Sequence, residues 1–308
     1  MAGRRPRVAF VGSGGAAKGI AHLGVLRACE ELGIVPDVLV GASAGAIIAS
    51  TYGQGISLDV LLDSYRLPWK RRHRGRKLTE SVFLEPPPLR TLTSPGHLTS
   101  GLLSIDGLER YLRQKLPCND FRKVPRTILV TAADLDAVRR VVFGRGFIED
   151  VPISQAVAAS CCVPVLFRPY EIDGRYYVDG EVVRTLSADL AVGQGAEVVI
   201  VSNVYKPRYT EPHETPIARR GLPAMIEQSL NVLLSEKERR GLELYHYLFP
   251  RVSFIQITPD IGSYSFLNRF RARELVKRGY LEAIKELSVA KARGLFDPKP
   301  LVQVAGTN

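Results

Sequence analysis

The sequence predicts an α/β fold with a mainly parallel central sheet and helices on both faces, and three observations carry that expectation. Short apolar runs alternate with longer stretches of helical period along most of the chain, the pattern of strand–helix–strand units. The first two runs, 7–11 and 38–40, each end at a glycine, as buried parallel strands do where they meet a turn. The 308 residues are 45% apolar and 24% charged, which suits one large or two smaller globular domains and excludes a disordered chain.

Taken in order, residues 18–32 read as a helix, with Ile20, Leu23, Leu26 and Leu32 among its apolar positions and Gly33 stopping it. Residues 44–52 form a second helix, rich in small residues that allow close packing. Further strands are expected at 127–131, 140–143, 198–201 and 253–257, and a hairpin over 170–178 turning at Asp173-Gly174. A helix follows from roughly 224 to 248, and another at 268–287. Two stretches break the alternation. Residues 67–101, with three consecutive prolines at 86–88, read as a lid-like insert, and 206–223 as a Pro- and charge-rich loop. The expected organisation is one domain over 5–290 with a frayed tail at 291–308.

Composition narrows the setting. The 42 Lys and Arg against 31 Asp and Glu give a net charge of +11, which suggests an anionic partner, nucleic acid or a membrane surface. No apolar stretch reaches the roughly 18 residues of a spanning helix; the nearest, 151–166, contains Gln, Ser and two prolines. The basic start of the chain has no signal-type apolar region behind it, so a cytoplasmic location is expected. Cys29, Cys118, Cys161 and Cys162 have no metal-ligand or disulfide spacing, so reduced thiols and no metal are expected.

The strongest chemical signal is Gly41-Ala42-Ser43-Ala44-Gly45 between a strand and a helix. A GxSxG turn lifts its serine clear of the sheet, and glycines two residues away allow the neighbouring backbone to approach. The Ala44 amide becomes an oxyanion donor at a helix N-terminus. The alternative is a small-residue helix start with Ser43 as a simple cap.

A second glycine loop, Gly12-Ser13-Gly14-Gly15-Ala16-Ala17-Lys18-Gly19, also joins a strand to a helix. As a P-loop it lacks the Ser or Thr after its lysine. As a dinucleotide fingerprint it matches GxGxxA, but no acidic residue follows the second strand to hold a ribose. As an oxyanion-binding nest it explains both motifs together. A base for Ser43 is less evident: His22 lies on the first helix, facing the sheet or simply packing, and a nucleophile at position 43 comes too early for the usual hydrolase order. Asp179, at a strand end before Gly180, and Asp173, at the hairpin turn, are equal candidates by spacing.

These motifs resemble those of the patatin-like phospholipase family. The resemblance runs through the loop ending in Lys18-Gly19, Ala21-His22-Leu23-Gly24-Val25-Leu26, the elbow with Gly41 and Gly45, Ala158-Ala159-Ser160-Cys161-Cys162-Val163-Pro164, and Tyr177-Val178-Asp179-Gly180. It is clear over 7–205 and looser over 206–290. It implies a three-layer sandwich, a serine esterase using a Ser–Asp dyad, and no cofactor. Ser43 is then the nucleophile and Asp179 the base, with Gly14, Gly15, Ala16 and Ala44 as the oxyanion amides. The implied substrate is a phospholipid or lysophospholipid. Two departures stand out: Ala16 replaces a third glycine, and Glu181 follows Gly180 where the family has a small residue. Glu181 would crowd the site or raise the pKa of Asp179.

Two other function classes remain as alternatives: a nucleotide-binding protein using the first glycine loop, and a basic nucleic-acid binder on an inactive hydrolase fold. The charge allows nucleic acid or a membrane, and the Ser–Asp dyad favours the membrane, so no nucleic acid is expected. Seven Lys and Arg fall within 66–77, leaving +4 for the remainder. Trp69 sits among Lys70, Arg71, Arg72, Arg74, Arg76 and Lys77, the composition of a peripheral contact with an anionic membrane.

Overall fold

A computed structural model describes residues 4–65, 101, 103–205, 210, 213–261 and 271–298. Residues 67–100 of the expected insert, the basic patch at 69–77 and the tail from 299 lie outside the described residues.

The chain begins with β1 (Val8–Gly12), a 3-10 turn (Ala16–Ile20) and α1 (Ala21–Glu31), then β2 (Val38–Gly41), α2 (Ala44–Tyr52) and α3 (Leu58–Tyr65). After α4 (Asp106–Lys115) come β3 (Thr127–Asp134), β4 (Arg139–Gly144) and α5 (Ile153–Ser160). The hairpin β5 (Tyr170–Ile172) and β6 (Arg175–Asp179) precedes α6 (Ala188–Gly193), β7 (Val198–Ser202), α7 (Leu222–Leu248), β8 (Ser253–Ile257) and α8 (Ala272–Ala292). The hairpin turns at Asp173-Gly174 with φ of 50° and 74°, the left-handed pair that an Asp-Gly turn favours.

The eight strands of the described residues share one sheet. Strands β3, β2, β1, β7 and β8 run parallel in that order, while β4, β5 and β6 are antiparallel additions. The expected mainly parallel sheet is therefore present, with an antiparallel flank. Buried residues alternate between the faces of β1. Val8 and Phe10 pack under α1, α3 and α8 with Leu39 and Ile200. Ala9 and Val11 face the other side, with α6 and with Leu242 and Tyr245 of α7. Beyond β2, the first face continues over Ile128 and Val130 beneath α4 and α5. Helices on both faces complete three layers.

Sequence periodicity missed α3, α4, α5 and α6. These helices have six to ten residues, too few turns to establish a 3.6-residue period. Helix α8 was expected at 268–287; its described part begins at Ala272 and runs on to Ala292. The helix expected from residue 18 starts as the 3-10 turn and becomes α-helical only at Ala21.

Strand β3 does most to position the site. β4 and β6 both pair with Ala132, Ala133 and Asp134, so they must lie on opposite edges of β3. β4 and β2 both pair with Leu129 and Val130, so they too are on opposite edges. It follows that β2 and β6 share one edge of β3 and approach each other end to end. β2 stops at Gly41, opposite Val130, and β6 stops at Asp179, opposite Ala132. Only Thr131 separates the two stops.

Candidate active site

The two glycine turns lie side by side, because β1 and β2 end in register at Gly12 and Gly41. Their contact explains the small residues. A Cβ on Gly41 would lie 2.3 Å from the Gly45 carbonyl, and one on Gly45 would lie 2.2 Å from the Gly12 oxygen. Any larger residue would separate the loops. The Gly45 amide also donates to the Ser13 carbonyl at 3.1 Å.

Between these glycines Ser43 has φ 52° and ψ −121°, a backbone conformation that L-residues avoid and that costs about 1–3 kcal/mol. Its side chain caps nothing in α2, which removes the simple-cap reading. The Ser43 amide donates to the Ser160 hydroxyl at 2.8 Å. Two residues further on, the Cys162 carbonyl accepts the Asp179 amide at 3.0 Å. The end of α5 therefore braces both residues. The Ser43 hydroxyl lies within hydrogen-bonding reach of the Asp179 carboxyl, which also accepts the Glu181 amide at 3.0 Å. Asp173, the other candidate by spacing, stays at the hairpin turn.

Burial lifts Asp179 to about 6, while the Glu181 amide and the Ser43 hydroxyl pull it down. The Glu181 backbone amide thus lowers Asp179, while the two carboxyls oppose each other's ionisation. Glu181 itself is pushed up to about 8 by burial and then by Asp179. The adjacent thiols of Cys161 and Cys162 are raised well above their usual range by burial and by Asp179, so they are protonated and unreactive. Among the described residues all four cysteines are free thiols, and no group of acids, histidines and cysteines could hold a metal ion.

The oxyanion candidates differ in availability. Ala44 and Ala16 are the first residues of α2 and of the 3-10 turn, where N–H groups have no intrahelical acceptor. Gly15 (φ 133°) and Ala16 (φ 47°) make the tight bend of the loop. Ala16 is strained there, in a backbone conformation that glycine would adopt freely. The Gly14 amide is already engaged, donating to Glu181 Oε1 at 2.8 Å. Lys18 is buried in the 3-10 turn, and Gly19 packs against Ala44. Gly180 abuts Thr131, between the two strand stops.

Of the two readings, His22 faces the sheet rather than merely packing. It is fully buried, with Nε2 2.9 Å from the Ser13 carbonyl and Nδ1 2.7 Å from the Ser202 hydroxyl. The carbonyl can only accept, so Nε2 carries the proton and Nδ1 accepts from Ser202. Burial lowers His22 to about 4 and keeps it neutral. It ties the glycine loop to β7, assisted by the Ser13 hydroxyl accepting the Val204 amide at 3.0 Å. Sequence reasoning missed this tie and the Ser160 brace, although both residues stood in its quoted motifs.

The family model for patatin-like phospholipases matches residues 10–192. The chain belongs to that family. An uncharacterized NTE family protein of Mycobacterium tuberculosis is 28% identical over 195 residues, 63% of this chain and 48% of that protein. A triacylglycerol lipase of Schizosaccharomyces pombe is 30% identical over 178 residues, covering 52% of this chain and 33% of the lipase. The chain spans about half the length of the mycobacterial relatives it matches. Among solved structures, VipD from Legionella pneumophila aligns with a TM-score of 0.49 at 15% identity, over 94% of this chain and 68% of that one. As a patatin-like phospholipase the chain has the fold and motifs of a lipid hydrolase family. Among its described residues no helix is long and apolar enough to cross a membrane.

Proposed function

We propose that this patatin-like protein is a serine esterase that releases fatty acid from phospholipids or lysophospholipids, using Ser43 as nucleophile and Asp179 as its only base. The observation that carries this reading is the Ser43 hydroxyl beside a buried carboxyl with a pKa raised to about 6. Such a group is ionised at neutral pH yet still takes a proton readily. Asp179 accepts the Ser43 proton as the oxygen attacks the ester carbonyl. The resulting oxyanion is met by the amides of Gly15, Ala16 and Ala44, each such donor being worth about 3–4 kcal/mol in a dry site. Asp179 then gives its proton to the departing alcohol, and the acyl group remains on Ser43. Water then attacks the acyl carbon as Asp179 takes its proton, the bond from that carbon to Ser43 Oγ breaks, and Asp179 returns the proton to Oγ as the fatty acid leaves.

The product is amphipathic and the substrate is held in a bilayer, so the enzyme must meet a lipid surface. The basic patch around Trp69 is the surface we assign to that contact, and one domain over 5–290 carries the chemistry. A nucleotide reading is disfavoured because the Gly14 amide, which a phosphate would need, is held by Glu181.

The test is fatty-acid release from vesicles of phosphatidylcholine and phosphatidylglycerol, with triacylglycerol emulsion as a second substrate. Release from the vesicles by the wild type and none by Ser43→Ala is expected. Equal release by both would overturn the dyad, and release only from the emulsion would overturn the phospholipid assignment.

A further inference from the structure

A third acid stands in the chamber of Ser43 and Asp179. Glu181 is 3% exposed; its Oε1 accepts the Gly14 amide at 2.8 Å and its Oε2 is buried with no hydrogen-bond partner. Gly14 shows how close this carboxyl is to the nucleophile. A Cβ placed there would lie 3.0 Å from Glu181 Cγ, 3.1 Å from Ser43 Cβ and 2.3 Å from the Tyr205 hydroxyl oxygen. The clasp is also anchored from behind. Lys237 of α7 donates through Nζ to the carbonyls of Glu181 and Val182 at 2.9 and 2.8 Å.

The charges around Glu181 decide its form. Asp179 presses on it from the end of β6, burial and then Glu181 in turn raise Glu238 of α7, and burial with the three acids together keeps the Tyr205 phenol, in the segment after β7, neutral. Lys237 is the cation opposing them, and its ammonium is spent on carbonyl oxygens. Glu238 is likewise buried, accepting the Asn203 side-chain amide. Three carboxylates in one dry pocket against one ammonium would leave uncompensated buried charge, so the pocket holds protons instead. Asp179 must be ionised to serve as a base. The protons therefore reside on Glu181 and Glu238.

We propose that Glu181, as the neutral acid, is a positioning residue of the site: it clasps the Gly14 amide, sets the glycine loop against Ser43, and when it ionises opposes the negative charge that develops during attack. The clasp withdraws the Gly14 N–H from the oxyanion hole and leaves that task to Gly15, Ala16 and Ala44. Ionised Glu181 would still hold the amide, but it would place a second negative charge beside Asp179 and beside the oxygen that becomes negative during attack. The enzyme thus carries an alkaline shut-off separate from its base.

This inference rests on the Ser43–Asp179 reading, and its test separates the two. The probe is a fluorophosphonate, which labels an activated serine, with the labelling rate followed from pH 5 to 10. No labelling of wild type at any pH would overturn the dyad itself. With labelling present, the wild-type rate is expected to rise through about 6 and to fall through about 8. Glu181→Gln keeps a neutral acceptor for Gly14 and should abolish the alkaline fall while retaining the rate at pH 7 to within about threefold. Glu181→Ala removes the clasp and should lower the rate about tenfold or more at every pH. An alkaline fall unchanged in Glu181→Gln, or a full rate in Glu181→Ala, would overturn the proposal. The carboxyl carbon resonance of Glu181, followed by NMR in the Ser43→Ala variant, reports its ionisation independently of turnover and should move near pH 8 rather than near 4.5.

Discussion

Asp134 and Asp179 end the paired strands β3 and β6, and both are closed off from water. Their acidities nevertheless move in opposite directions. Asp134 accepts the amides of Ala137 and Asp136 at 2.9 and 3.1 Å and an Arg175 nitrogen at 3.2 Å. Those donors, Ala137 first, hold it below the usual range despite burial. Its cover is also thin, since the Arg175 side chain is 58% exposed. Asp179 lies deep, with one amide and one hydroxyl as donors and, among the described residues, no cation paired with it, and burial raises it. Exclusion from water alone does not decide what a carboxyl does. A structural carboxylate is supplied with donors and a cation, whereas a base is left short of them so that it will take a proton.

The largest test of this contrast removes each acid in turn. Asp179→Asn should lower esterase turnover about a thousandfold or more, and Asp134→Asn should leave it nearly unchanged. In wild type, turnover should drop as pH falls through about 6, about tenfold per unit below that point, because protonated Asp179 cannot accept the serine proton. An acid limb at pH 4 instead would mean that Asp179 is as well supplied with donors as Asp134.

The brace provides a smaller effect. Ser160→Ala frees the Ser43 amide without touching either carboxyl, and kcat should fall about tenfold with KM little changed. A change confined to KM would show that Ser160 shapes the substrate pocket rather than the elbow.

Stability should invert the order seen in activity. Asp179 has a raised folded value, so its contribution is fully present below about 4 and is lost as pH rises to about 6. Asp179→Asn should therefore stabilise the fold at pH 7 by about 1–3 kcal/mol in urea unfolding. Asp134 has a depressed value, so its contribution is present above the unfolded value near 4 and is lost as pH falls through the folded one. Asp134→Asn should cost about 1–2 kcal/mol through its weakened backbone hydrogen bonds. The smallest effect is expected at the loop: Ala16→Gly relieves the left-handed backbone and should gain less than about 1 kcal/mol.

Much of this site was legible in the sequence because its parts are local. A strand ending at Gly41 and a helix beginning at Ala44 leave Ser43 no place but the elbow, and the second loop has the same strand-to-turn form. Asp179 was legible only through its resemblance to a family motif. Spacing alone could not separate it from Asp173, since what distinguishes them is the meeting of β2 and β6 along one edge of β3, a fact of sheet topology. The Ser160 brace was hidden for a related reason: it joins positions 117 residues apart, and nothing in a helix-end serine announces a distant partner. The backbone amide of Glu181, which lowers Asp179, was not legible because a residue's charge is written in the sequence and the aim of its amide is not.

The brace also determines where this chain can change its length. Ser43 and Asp179 hang from Ser160 and Cys162, so their spacing is measured by a three-residue span and not by the chain between them. A longer connection from α2 to β3, or from β4 to α5, alters the outline of the molecule and leaves that span intact. One residue added between Ser160 and Cys162 would carry the two apart. The site is therefore indifferent to the size of its surroundings and intolerant of a single insertion at the end of α5.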